Sequence, residues 1–159
     1  MKGVNDILEV KFYDTMDDVF LKFAVIISRS KGKWVFCKHK ERDTYEVPGG
    51  HRETDENIIE TATRELQEET GALRFRMKPL CVYSVTGKNS INESGEETFG
   101  LLCYAEIMEF SDQLDSEMEK VVLMDYLPEN WTYPLIQPRL IEKYLQMETL
   151  DMETEYGDT

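Results

Sequence analysis

The sequence predicts a mixed α/β or α+β domain, and three observations carry that reading. Short β-rich segments recur along the chain, one amphipathic helical stretch interrupts them at residues 55–70, and a second helical stretch follows Pro134 and Pro138. The 159 residues suit one domain, read as 1–147, followed by an acidic tail at 148–159 expected to be flexible.

In chain order, residues 5–13 and 20–29 read as strands joined by a polar turn at 14–18. Ser30-Lys31-Gly32-Lys33 is a hairpin turn leading into a third strand at 34–37. Tyr45-Glu46-Val47 is a short strand that stops at Pro48-Gly49-Gly50, a strong turn signal. The helix at 55–70 has Thr54 or Asp55 as its expected cap, Glu56 in the first turn, and Gly71 as a left-handed stop. Residues 75–85 and 98–108 are β-rich and flank a polar loop at 87–97. A further strand is expected at 121–126, and the final helix is expected to end near Gln146.

Composition narrows the function. The net charge of −14 comes from 32 acidic against 18 basic residues, which repels the backbone of duplex DNA or long RNA. A small anion stays accessible if metal ions neutralise it. No apolar run is long enough to span a bilayer, and the N-terminal residues lack the apolar core of a secretory signal, so a cytoplasmic protein without membrane contact is expected. Cys37, Cys81 and Cys103 are odd in number and widely spaced, which predicts buried thiols rather than a disulfide frame or a zinc site.

The helix holds the main functional signal. At about 100° per residue, Ile58, Ala62, Leu66 and Ile59 span an apolar arc, from 0° at Ile58 to about 100° at Ile59. Glu69 falls near 20°, inside that arc; Glu65 falls near 340°, at its edge; and Glu68 flanks them near 280°. Carboxylates on a buried face are costly unless cations pair with them, and only Arg64 stands nearby on the helix. A hard divalent cation, Mg²⁺ or Mn²⁺, balances such an all-oxygen cluster. The geometry favours metal binding over a solvated acidic face.

The string Gly50-x5-Glu56-x7-Arg64-Glu65-Leu66-x-Glu68-Glu69-x-Gly71-Ala72 resembles the Nudix box, with every charged and glycine position filled. A chance match to its seven polar and glycine positions is on the order of 10⁻⁸ per window at ordinary residue frequencies. Ala72 departs from the larger aliphatic residue usual at the last position, which touches packing more than chemistry. The resemblance, over residues 50–72, implies a Nudix-type α/β/α sandwich with a central mixed β-sheet. It also implies Mg²⁺- or Mn²⁺-dependent hydrolysis of a nucleoside diphosphate linked to another moiety. By position, Glu65, Glu68 and Glu69 become the metal carboxylates, with the carbonyl of Gly49 as a further ligand. Arg64 orients the acids, Glu56 supports them, and an acid from a later loop, Glu119 first and Glu117 second, joins in.

The short chain is similar to MutT-type nucleoside triphosphate pyrophosphohydrolases, which release a monophosphate and pyrophosphate; an oxidised deoxynucleotide is one candidate substrate. His51 stands where many relatives carry a phosphate-contacting lysine, and Lys38, Lys40 and Arg42 are candidate substitutes. Tyr45, Tyr83, Phe99 and Tyr133 are candidates to stack on a base. Two other readings stand beside this one: removal of pyrophosphate from RNA 5′ ends, which the −14 charge disfavours, and a nucleotide sensor that does not cleave.

Overall fold

The computed structural model describes residues 8–89, 93–112 and 118–157. Its strands are β1 (Glu9–Tyr13), β2 (Leu21–Ser30), β3 (Lys33–His39), β4 (Tyr45–Glu46), β5 (Gly49–His51), β6 (Ala72–Thr86), β7 (Thr98–Phe110) and β8 (Met118–Met124). The helices are α1 (Ile58–Thr70) and α2 (Gln137–Gly157). One sheet runs β1-β6-β7-β2-β3-β4, with β5 also paired to β2 and β8 to β3. The β2–β7 pairing is parallel and the others are antiparallel, so the sheet is mixed.

The centre of the sheet follows from β2. Its continuous apolar run, Phe23-Ala24-Val25-Ile26-Ile27, is buried on both faces, as expected of a strand covered by helices on either side. Ala24 and Ile26 pack with Val35, Leu101 and Cys103 beneath Ile58, Ala62 and Leu66 of α1. Phe23, Val25 and Ile27 face the other way, onto Ile136, Leu140, Ile141 and Tyr144 of α2. The result is the expected α/β/α sandwich. All three cysteines are buried free thiols.

Helix α2 is fixed to the sheet by stacked aromatics. The Arg29 guanidinium lies 4.3 Å from the Trp34 ring centre and 5.5 Å from that of Tyr144. Tyr144 stacks on Tyr104 at 4.8 Å, and Arg29 also pairs with Glu148 at 3.5 Å. This clamp holds the middle of α2 on the β2–β3 end of the sheet, while Gln137, at the start of the helix, bonds the Val47 N–H just after β4.

Several boundaries differ from the sequence reading, each for a local reason. Pro48-Gly49-Gly50 is not simply a turn: Gly49, Gly50 and His51 form β5 and pair with Val25, Ala24 and Phe23. Helix α1 starts at Ile58, and its cap is Asn57, not Thr54 or Asp55. The Asn57 Oδ1 accepts from the Glu60 N–H at 2.8 Å while Glu60 Oε1 accepts from the Asn57 N–H at 2.9 Å, a reciprocal capping box. Residues 53–56 form their own turn instead, with the Glu56 N–H donating to the Glu53 carbonyl. Ile59, expected in the buried arc, is 43% exposed, and Thr61 takes its place in the stripe. β6 begins at Ala72, β8 begins at Met118, and α2 continues to Gly157, well past Gln146. No described helix is long and apolar enough to cross a membrane.

Leu66 is fully buried between α1 and the sheet. Leu66→Ala is expected to lower stability by about 2–5 kcal/mol. Urea unfolding checks this, and a loss below about 1 kcal/mol would show that α1 is not anchored through this residue.

Candidate active site

The helix stripe observed here is centred closer to the acids than the wheel suggests. Thr61, Ala62, Leu66 and Thr70 are buried, so the middle of the packed face runs through Glu65 and Glu69. Gly71, at φ 74°, ends α1 in the left-handed conformation that a side chain disfavours, and its N–H closes onto the Gln67 carbonyl. The last two turns, which carry the three glutamates, therefore end against β5.

β5 reaches the helix because it has no side chains in the way. A Cβ on Gly50 would sit 2.2 Å from Glu65 Oε2, inside the carboxylate. The neighbouring Gly49 N–H donates to Glu69 Oε1 at 2.9 Å. Two glycines in extended pairing thus let backbone lie directly on two acids of α1.

Arg64 is the only cation among them. Its guanidinium makes its tightest pair with Glu56, through Nε to Oε2 and Nη2 to Oε1. It also reaches Glu65 at 3.0 Å, Glu68 at 3.2 Å and the His51 carbonyl at 3.1 Å. Pairing with Arg64 holds the Glu56 carboxyl down to about 2. One arginine therefore neutralises Glu56 first and leaves the helix acids short of positive charge. Burial pushes the Glu69 carboxyl up to about 9, against the pull of the Gly49 N–H and with help from Glu65 and Glu46. Burial also raises that of Glu65, which Arg64 partly opposes. Glu68 is the most open of the three, with 46% of its side chain exposed.

This donor chemistry suits a hard cation: three carboxylates, two of them half-buried, set beside backbone and supplied with too little charge. Among the described residues, no three His, Cys, Asp or Glu side chains are gathered as tightly as a bound ion would gather them. Glu65 and Glu68 instead turn toward Arg64, and Glu69 turns toward Gly49.

The NUDIX domain model matches residues 20–131. The chain belongs to the Nudix family. A provisionally named 8-oxo-dGTP diphosphatase of Bacillus subtilis (strain 168) is 37% identical over 110 residues, which cover 69% of this chain. An RNA pyrophosphohydrolase of Stenotrophomonas maltophilia (strain K279a) is 39% identical over 57 residues, 36% of this chain. The aligned parts span 65% and 28% of those two relatives' own lengths. A crystal structure of a Bacillus subtilis pyrophosphohydrolase superposes with a TM-score of 0.70 at 29% identity, covering 88% of this chain and 90% of that one.

Within this Nudix fold, Gly49, Arg64, Glu65, Glu68 and Glu69 come together, while other candidates do not join them. The Lys38 ammonium lies 3.9 Å from Asp43 and 3.5 Å from the His39 carbonyl. Lys40 is exposed in the turn after β3. His51 follows Gly50 and lines an adjoining cleft with Phe23, Tyr83 and Tyr133. Tyr45 and Phe99 do not line that cleft; Phe99 packs on Tyr13 at 5.8 Å. Glu119 belongs to β8, but its side chain lies outside the described residues, as does all of Glu117.

Two supports escaped the sequence reading. Arg52 pairs with Asp18, and Asp18 Oδ1 accepts from the Ile58 N–H at 2.9 Å, adding a second cap to α1. Glu46 is buried at the cleft's edge. Asp18 and Arg52 are 34 residues apart, and no periodicity links such partners.

Glu56→Gln tests the arginine pair. A carboxyl held below its ordinary value of 4.5 contributes stability above that pH, and the contribution fades as pH falls toward 2. The variant is expected to be less stable than the parent by about 1–3 kcal/mol at neutral pH. In urea unfolding the gap should narrow from about pH 5 downward. Equal stability at neutral pH would remove Glu56 as the partner that fixes Arg64.

Proposed function

We propose that this Nudix chain is a pyrophosphohydrolase dependent on Mg²⁺ or Mn²⁺. Its substrate is a small nucleotide, foremost a nucleoside triphosphate cleaved to monophosphate and pyrophosphate. The observation that carries the reading is the pair of half-buried carboxyls, Glu65 and Glu69, pressed against the Gly49-Gly50 backbone with Arg64 already committed to Glu56. The likeness to a relative named for 8-oxo-dGTP cleavage supports a triphosphate, oxidised deoxynucleotides among them.

In this mechanism Glu65, Glu68, Glu69 and the Gly49 carbonyl hold the cation. The bound ion supplies positive charge against the pyrophosphate oxygens and Lewis acidity at the anhydride. Arg64 is a positioning residue: by drawing on Glu65 and Glu68 at once, it sets the direction of both carboxylates. Glu65, Glu68 or Glu119 takes the proton of the attacking water. His51 at the cleft mouth is the nearest imidazole for a phosphate oxygen, with Lys38 and Lys40 acting only if the 38–43 turn closes toward it. Retention of every box carboxylate favours turnover over a sensor that only binds.

A second reading, 5′-triphosphorylated RNA, draws on the likeness to an RNA pyrophosphohydrolase over 36% of the chain. The charge of −14 opposes a long RNA partner.

The test is a panel of canonical and 8-oxo triphosphates, ADP-ribose, dinucleotides and 5′-triphosphorylated RNA, with Mg²⁺ or with EDTA. Metal-dependent pyrophosphate release from a triphosphate is expected. Selective cleavage of ADP-ribose or dinucleotides would overturn the substrate, and no turnover of any member would overturn the enzyme. Glu65→Gln and Glu68→Gln are each expected to lower turnover on the order of 100-fold or more while keeping the native circular dichroism. Near-normal rates in a folded variant would remove that residue from the mechanism.

A further inference from the structure

The cleft beside the acidic helix is mostly apolar, with Glu46, His51, Asn89, Thr98 and Gln137 among the polar residues of its lining. Phe23, Val25, Val47, Tyr83 and Ile136 give it apolar walls from β2, β4, β6 and the approach to α2. Such a slot suits a flat heteroaromatic ring. Two polar side chains in its wall are buried, Gln137 and Glu46. Gln137 helps hold the fold: its Oε1 accepts from the Val47 N–H at 2.8 Å, and its Nε2 donates to the Val47 carbonyl at 3.5 Å, which leaves one N–H and one lone pair. Glu46 differs in being an acceptor on both oxygens. Its carboxylate receives Arg42 Nη1 at 3.4 Å and the Thr132 side chain, which leaves acceptor capacity on a group 6% exposed.

The position of Glu46 is well fixed. β4 is stitched to the segment before α2 by the Tyr45 N–H to the Asn130 carbonyl at 2.8 Å and the Thr132 N–H to the Tyr45 carbonyl at 2.9 Å. Thr44 and Thr132 join their hydroxyls at 2.7 Å. A buried carboxylate on this stitched edge, among the residues lining the mostly apolar cleft, is a directional acceptor.

Resting on the proposed nucleotide hydrolysis, we infer that Glu46 is a specificity-determining residue that selects guanine by accepting the two adjacent N–H donors of its Watson–Crick edge. Guanine is the only common base with neighbouring ring N–H and exocyclic amine donors on that edge. Adenine and cytosine set a lone-pair nitrogen beside their amine, which meets the carboxylate unfavourably, and uracil offers a single N–H between two carbonyls. Hypoxanthine keeps the ring N–H of guanine but lacks the amine. Oxidation at C8 leaves the edge unchanged, so Glu46 accepts guanine and 8-oxoguanine alike, and any preference between them arises elsewhere in the cleft.

The test is equilibrium binding, which does not depend on turnover. GMP, IMP and AMP are titrated calorimetrically, with Mg²⁺ present, into the full chain and into Glu46→Gln, a substitution of the same size whose fold is checked by circular dichroism. GMP is expected to bind the parent at least 10-fold more tightly than IMP, and IMP more tightly than AMP, because each lost hydrogen bond to a charged group costs about 10-fold or more. In Glu46→Gln the GMP-over-AMP preference is expected to shrink at least 10-fold. Equal affinities in the parent, no binding of any purine monophosphate, or an unchanged preference in the variant would each overturn the assignment. Hydrolysis without guanine preference would overturn Glu46 and leave the proposed activity standing. Guanine-selective binding without hydrolysis would do the reverse.

Discussion

Burying acids on a packed helix face creates a charge debt, and how Arg64 divides its positive charge governs the rest of the site. Its closest partner is Glu56, which lies in the loop before α1 rather than on the helix. That choice fastens the loop to the helix and simultaneously gives Glu65 and Glu68 only the outer edge of the guanidinium. Glu69 receives a backbone N–H instead of a cation. The fold has thus placed three carboxylates where protein charge satisfies them only in part, which is costly for a structural face and useful for one that captures a cation.

The sheet makes that arrangement possible. β2 is wide enough in hydrogen-bonding terms to pair with β3 at Arg29–Ser30 and with β5 at Phe23–Val25. The β5 glycines therefore lie flat on the core strand on one side and against Glu65 on the other. The α2 side supplies the cleft, and the Arg29–Trp34–Tyr144 clamp together with the Gln137–Val47 pair keeps that helix close to β4. The acidic helix and the apolar cleft share the Gly49-Gly50 strand as their common wall, so a ligand in one lies beside the other.

Much of this was legible in the residues, for reasons that can be named. The 3.6-residue period of α1 exposed the conflict of Glu69 with an apolar stripe, and the apolar residues at 20–29 marked a strand, which the structure buries on both faces. What was not legible depended on contacts distant in sequence. Asn57 wins the cap from Thr54 and Asp55 because Glu60 completes a capping box and Asp18 adds a second acceptor, and only the folded chain brings Asp18 there. Pro48-Gly49-Gly50 carries every local mark of a turn, yet β2 recruits it as a strand. Glu46 sits in a short strand with no local mark of burial, and its burial comes from the segment before α2, tied to β4, folding over it.

If the α1 carboxylates form a cation site rather than a closed network satisfied by Arg64, they bind a divalent ion directly. The most direct test is calorimetric titration of Mn²⁺ into the full chain, into Glu65→Gln and into Glu69→Gln. The account predicts saturable binding to the parent and affinity weakened by about 10-fold or more in each folded variant. Absence of saturable binding to the parent, or affinity unchanged in both variants, would contradict it.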